Sequence, residues 1–423
     1  MKTTLKVLAV LFALSTAASA QVAPAATTAG HLPVNGRLYY AFRYAQSAEF
    51  GGTLGTWQMS TLSGSASYTS TSERAPFAVD YAGGYGWTIT GPSYGSGLFQ
   101  RLNLSQGGVW RKWVVTVSDD VSYLPQSPFT GFSGIPGIGE PIGTPNPTPP
   151  SSQSILNLNT HVVENLATGS VENKLTASTT LSGSGTYDLL RYPNNDGLDT
   201  NTYGANGQLT HRLDGRDSIV GTYQFIRYTY PGLVVSGPAV NFETQEGLIG
   251  FRRLLSRKLS VAVNAGPMWI DSSYQSVVPS KLTYAANGRV DYTSKPTVIE
   301  IGYSHGTNGG AGYLLGATWD SVLGNVTRTI GTNVMIGLTG GYDRTAGMIN
   351  NGTANNTVGG TQATWQVSRN IIAFVNYTGA YQTTTGALST NVGNQSPQIL
   401  QNQVLQTVGF GVGFSPRITH FKQ

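Results

Sequence analysis

The chain contains no cysteine, so no disulfide framework can hold it together. Charge is scarce as well: charged residues make up 11% of the 423, where soluble domains usually carry about 25%. Long apolar runs are missing. The longest candidate, Val7–Leu14, falls well short of the roughly 20 residues that a membrane-spanning helix needs. Blocks of lysine and arginine are absent, so the formal net charge of +5 does not point to nucleic acid. These absences argue against a disulfide-stapled secreted domain, an ordinary charged soluble domain, a helical membrane protein and a nucleic-acid binder.

What is abundant is glycine (54 residues) and tyrosine (22, against 14 phenylalanines), which suits a thin wall with aromatic surfaces rather than a thick core. The first twenty residues have the parts of a secretion signal: a basic start at Lys2 and Lys6, the apolar Val7–Leu14, and Ala18-Ser19-Ala20 before Gln21. Residues 1–20 are therefore read as a signal peptide, and the small-residue stretch 21–35 as a flexible periplasmic tail.

From residue 36 to 415 the pattern is alternation with period two. In strand-forming sequence successive side chains point to opposite faces, so this builds a sheet with one apolar and one polar face. Leu38, Tyr40, Phe42 and Tyr44 alternate with Arg37, Tyr39, Ala41 and Arg43. Val408, Phe410, Val412 and Phe414 alternate with Thr407, Gly409, Gly411 and Gly413. Exported strands that must satisfy their backbone groups in hydrocarbon can do so only as a closed barrel. The fold class expected is all-β: a transmembrane antiparallel up-and-down barrel of about 18 strands, with 16 allowed by boundary error.

Two kinds of connection recur. Short turns are expected at Ser72–Arg74, Gln106–Gly108, Ala167–Gly169, Asp214–Arg216, Ser256–Lys258, Ser294–Pro296, Leu323–Asn325 and Ser368–Asn370. Longer polar stretches lie at 91–96, 124–153, 192–204, 231–238, 272–280, 305–312, 344–357 and 384–399. Alternation of short and long is the periplasmic-turn and extracellular-loop habit of outer-membrane barrels. An even strand count puts both ends of the barrel, with a tail at 416–423, on the periplasmic side. In 239–255 Glu246 shares a face with Phe242 and Leu248, which predicts a bulge or a rim position. The seven tryptophans fall near expected strand ends, as in aromatic girdles.

The signal, the hairpins and the last strand, Val404–Phe414, together resemble Gram-negative outer-membrane β-barrel proteins of the porin-like class. The resemblance covers nearly all of 36–415 and is one of architecture. It implies outer-membrane localisation, contact with outer-membrane lipid and with the barrel-assembly machinery, and passage of small hydrophilic solutes; a homotrimer is left open. It also implies an aromatic assembly signal at the last strand, here Phe414 or Phe421.

The candidate pore lining is Arg37, Arg43, Asp80, Arg101, Asp120, Arg289, Asp291, Glu300 and Asp320. The Pro-rich loop 124–153 holds eight of the 20 prolines, with Phe129, Phe132 and Glu140 as candidate constriction or lid residues. The histidines (His31, His161, His211, His305, His420) lack ligand spacing, so neither metal nor cofactor is expected. The function expected is a passive channel rather than an enzyme. Two rivals stand beside it: a non-channel barrel acting as adhesin or scaffold, and a rim hydrolase built on Asp119, Asp120, His305 and Asp343. Residues 21–35 are too few for a plug domain, so active uptake is not expected.

Overall fold

The computed structural model describes residues 36–51, 55–70, 72–93, 96–125, 155, 161–194, 197–231, 240–273, 280–310, 312–348, 352–386, 402–415 and 419–421. The expected signal (1–20), the tail (21–35) and Phe129, Phe132 and Glu140 lie outside them.

The strands follow one another as antiparallel neighbours: β1 (Gly36–Phe50), β2 (Thr56–Ser70), β3 (Phe77–Thr90), β4 (Gly97–Val109), β5 (Trp113–Pro125), β6 (His161–Lys174), β7 (Thr179–Arg191), β8 (Thr200–Arg212) and β9 (Asp217–Tyr230). The second half runs β10 (Val240–Leu254), β11 (Leu259–Ser272), β12 (Lys281–Ser294), β13 (Thr297–Asn308), β14 (Ala317–Ile330), β15 (Val334–Gly347), β16 (Thr353–Gln366), β17 (Ile371–Thr385) and β18 (Gln403–Phe414). β18 pairs back onto β1, Phe414 opposite Phe42 through Gln406 opposite Phe50, and this closes the ring. A short β19 (Thr419–Phe421) continues the seam along Gly36–Leu38. Closure removes both edges of the sheet, so each of the 18 barrel strands has a hydrogen-bonded partner on each side.

Cross-strand pairs share a face, so the registers fix an outside and an inside around the ring. Phe42, Tyr85, Leu209, Ile249, Val263, Leu338, Val375 and Phe410 all lie on one face and are exposed. Phe99, Phe242, Met268, Leu323, Phe374 and Leu405 lie on the other and are buried. The large apolar side chains thus mostly point out, and the serines, threonines and asparagines mostly point in together with the Arg101–Asp120, Arg289–Asp291 and Arg289–Glu300 pairs, the inverse of a soluble protein and the arrangement a lipid-facing wall requires. Inside, glycine makes room for rings: a Cβ on Gly84 would stand 2.5 Å from Phe99 Cζ, and one on Gly411 2.5 Å from Phe374 Cζ.

All the short turns lie at the end that holds Gly36 and Phe414, and the long connections at the other. The turn between β8 and β9 shows the local chemistry. Arg216 and Asp217 N–H donate to Asp214 Oδ1 at 2.6 and 2.7 Å, which folds the chain back and holds the carboxyl below its ordinary range. Three expected turns are displaced. Gln106–Gly108, Ala167–Gly169 and Leu323–Asn325 lie inside β4, β6 and β14, and the true turns follow at 110–112, 175–178 and 331–333. Wall positions occupied by glycine and asparagine imitate turn chemistry in the sequence.

Two other expectations change. Glu246 faces inward with Phe242 and Leu248; the β10–β11 ladder skips Gly247 and Leu248 just after it but keeps its register, and the register shift falls instead between Gln58 and Met59. Trp87, Trp110, Trp113, Trp269 and Trp365 are exposed on the outside near strand ends, whereas Trp57 is 1% exposed and points inward, as does Trp319.

Candidate functional site

The interior of the barrel is the candidate site, and its two sides differ. On β1–β6 the inward face carries a set of polar, partly exposed side chains beside buried Trp57, Phe99 and Val162. Arg37 and Arg43 project from β1, Asp80 from β3, Arg101 and Asn103 from β4, and Asp120 from β5. Arg101 grips Asp120 with Nε at 3.1 and 3.0 Å from the two carboxylate oxygens and a terminal nitrogen at 3.0 Å, and Asn103 Nδ2 donates to the same carboxylate at 3.1 Å. A fork-to-carboxylate pair of this kind holds both charges in a fixed place on the wall. Ser67 hydrogen-bonds Asp80, and the Arg43 guanidinium lies 5.1 Å from the centre of the Phe374 ring.

On the opposite wall Arg289 Nε donates to Asp291 at 2.5 Å, and a terminal nitrogen reaches Glu300 at 3.0 Å; Ser260 adds a 3.3 Å bond to Asp291. Eight of the nine expected lining residues therefore stand on the inward face. Asp320 does not. Its register partners His305 and Arg344 share the outward face with exposed Val322 and Tyr342, one strand position out of phase with inward Ser321. His305 Nδ1 lies 2.6 Å from Asp320 and stacks on Tyr284 at 4.4 Å between ring centres.

The residues considered for a rim hydrolase separate in the same way. Asp119 faces outward, hydrogen-bonded by Asn165 at 2.6 Å, while Asp120 and Asp343 face inward and His305 outward. Carboxylates on opposite sides of a wall cannot address one substrate. Among the described residues no group of three or more His, Cys, Asp or Glu side chains is placed to hold a metal ion.

Above Arg289, towards the long-loop end, the inner wall of β8–β12 becomes apolar. Tyr228, Tyr230, Val240, Phe242, Met268 and Ile270 form a buried cluster joined by Leu198 and Leu315. Such a surface inside a barrel needs cover, and the β13–β14 connection, 309–316, supplies it. Tyr230 OH donates to the Gly309 carbonyl at 3.0 Å and accepts from Gly316 N–H at 2.8 Å, so a single hydroxyl ties both ends of the loop to β9. Tyr228 OH donates to the Thr307 carbonyl at 3.1 Å. Leu314 and Tyr313 pack in a second cluster with Ala317, Ala354 and Ile155, the last a residue between β5 and β6. Leu198 N–H donates to the Gly312 carbonyl at 2.7 Å, which adds the β7–β8 connection.

Glycine makes this path possible. Gly310, Gly312 and Gly316 have φ of +80°, +77° and +71°, and a Cβ on Gly316 would stand 2.6 Å from the Phe242 ring. The sequence signal for this loop was the apolar triplet Tyr313-Leu314-Leu315 between glycines, the same kind of signal that drew attention to 124–153.

Fold and interior together define the class: a closed, 18-stranded up-and-down barrel of the outer-membrane type, apolar outside and polar within, narrowed at one mouth by inward-folded connections. Solved structures of similar architecture include three from Pseudomonas aeruginosa. OccK2 (OpdF) aligns with 90% of this chain and 98% of its own at 9% identity and a TM-score of 0.47. The same protein in complex with glucuronate gives the same coverage at 8% identity and a TM-score of 0.48. The outer membrane protein OpdK covers 90% and 99% at 8% identity and a TM-score of 0.44. The likeness is too distant to transfer any residue's role. No protein-family profile matches the chain. No curated relative matches it either.

Proposed function

We propose that the protein is an outer-membrane channel through which small hydrophilic solutes diffuse passively, selected by size and by the charges of the inner wall. The reading rests on one observation above all. A ring of 18 strands has a circumference that leaves a water-filled interior, and its β1–β6 wall carries partly exposed Arg, Asp, Asn and Ser side chains facing inward. Solute would pass along that wall, beside the mouth-narrowing loops. The mixed signs of Arg43, Arg101, Asp80 and Asp120 would give a field across the pore rather than a single-sign ring.

Planar-bilayer recording of the refolded protein tests this. Stepwise conductance is the expected result. Its absence would favour a non-channel barrel used as a scaffold, a reading supported by the apolar packing in the mouth.

The Arg101–Asp120 pair gives a sharper check. In Arg101→Gln the Asp120 carboxylate keeps Asn103 and loses its counter-charge. The reversal potential in a salt gradient is expected to move towards cation preference, with unitary conductance within about a factor of two of the parent because the wall is only partly occupied here. An unchanged reversal potential would remove this pair from the conduction path.

A further inference from the structure

The lysines and arginines are distributed with a sharp polarity. None of the long connections, 51–55, 91–96, 126–160, 192–199, 231–239, 273–280, 309–316, 348–352 and 386–402, contains either residue. At the short-turn end they are concentrated: Arg74, Arg111, Lys112, Arg216, Arg257, Lys258, Lys295 and Arg369 lie within the turns themselves and are exposed. Among the described residues of these turns and their flanks the one ion pair is Arg253–Asp217 at 3.6 Å. Large apolar side chains share the same turns. Trp110, Leu213, Leu255 and Val367 are 61%, 54%, 51% and 49% exposed.

A turn that projected into water would have no use for these four side chains. A turn seated at the level of lipid headgroups would, because the apolar part sinks towards the acyl chains while arginine and lysine stems carry their charge out to phosphate. We propose that the short-turn rim is a binding surface for anionic phospholipid headgroups, phosphatidylglycerol or the doubly charged cardiolipin, in the periplasmic leaflet. Recognition is by charge and depth rather than by one pocket. Each basic side chain near an anionic surface adds attraction, and guanidinium groups take phosphate oxygens in a fork. The apolar residues favour lipid over the carboxylates of the cell-wall polymer, which offer nothing for Trp110 or Leu255 to enter. The proposal rests on the outer-membrane reading above.

The test uses the full-length protein inserted in phosphatidylcholine vesicles that carry a trace of dansyl-phosphatidylglycerol or dansyl-phosphatidylcholine. Energy transfer from tryptophan reports which lipid collects around the barrel. The expected result is local enrichment of the anionic phosphatidylglycerol probe by about fivefold at low salt, falling towards parity at about 1 M salt, where the screening length shrinks to about 3 Å. Replacing Arg74, Arg111, Lys112, Arg216, Arg257, Lys258, Lys295 and Arg369 with glutamine should abolish it. Should that variant lack heat-modifiable mobility, the double variant Arg257→Gln/Lys258→Gln and the salt titration of the parent carry the decision. Equal transfer from both lipids, or enrichment unchanged by substitution and by salt, overturns the proposal. So does pelleting of the detergent-solubilised protein with purified cell-wall sacculi that these substitutions abolish. Failure to insert into vesicles would instead sink the outer-membrane reading itself.

Discussion

Replacing the connection 309–316 with a short Asn-Gly turn is expected to raise single-channel conductance several-fold, because the segment stands inside the mouth rather than over it. Tyr230→Phe should reproduce part of that effect with one atom removed. The hydroxyl accepts from Gly316 N–H and donates to the Gly309 carbonyl, and both groups would be left buried without it. An unsatisfied buried group costs about 1–3 kcal/mol, enough to populate a released loop while the barrel stays closed by its ladders. The expected record is flicker between the parental level and a larger one. Gly316→Ala should act the same way, since the left-handed backbone and the Phe242 ring both exclude a methyl group. Tyr223→Phe is the control: that hydroxyl bonds Gln245 on the outside of the wall. If loop replacement and Tyr230→Phe both leave conductance at the parental value, this segment does not bound the conduction path.

The mouth also shows where sequence reading ran short. Alternation in strands such as Val404–Phe414 is legible because the outer face must be apolar at every second position and the inner face has no such demand. Strand number follows from hairpin counting. The turns were legible where they combine a charge with Gly, Ser or Asn, as at Asp214–Arg216 and Ser368–Asn370. They were misplaced where the wall itself uses glycine or asparagine, as at Ala167–Gly169. Asp320 reads as lumenal on the rule that charge faces inward. That rule weakens near the long-loop end, where outward Arg344 and His305 offer Asp320 partners across neighbouring strands.

Phe242 and Leu248 failed for a different reason. An inward apolar residue makes sense only with the 309–316 segment in place. That pairing joins residues far apart in the sequence, and period-two reading has no access to it. Glu246 is the same case. It reads as an intruder on an apolar face, yet it sits on the inner wall with its carboxylate 4.0 Å from the place a Cβ on Gly306 would occupy.

The two faces of the wall make the strongest quantitative contrast. Leu338 lies outward in the middle of β15, 51% exposed, between Val326 and Thr361 on the neighbouring strands. An arginine there must be held in hydrocarbon, which costs about 2–4 kcal/mol at mid-membrane. Ser65 lies inward on β2 between Ala41 and Ala82, so an arginine in its place enters the lumen beside small neighbours. Leu338→Arg is therefore expected to lower the unfolding free energy in vesicles by about 2–4 kcal/mol. Ser65→Arg should change it by less than about 1 kcal/mol, and it should shift the reversal potential towards anions, the direction opposite to Arg101→Gln. Chemical unfolding in lipid followed by tryptophan emission measures the first pair, and the bilayer recording the second. Equal losses for the two substitutions would mean that the outer surface does not face lipid, and the polarity assigned to every strand would have to be abandoned with it.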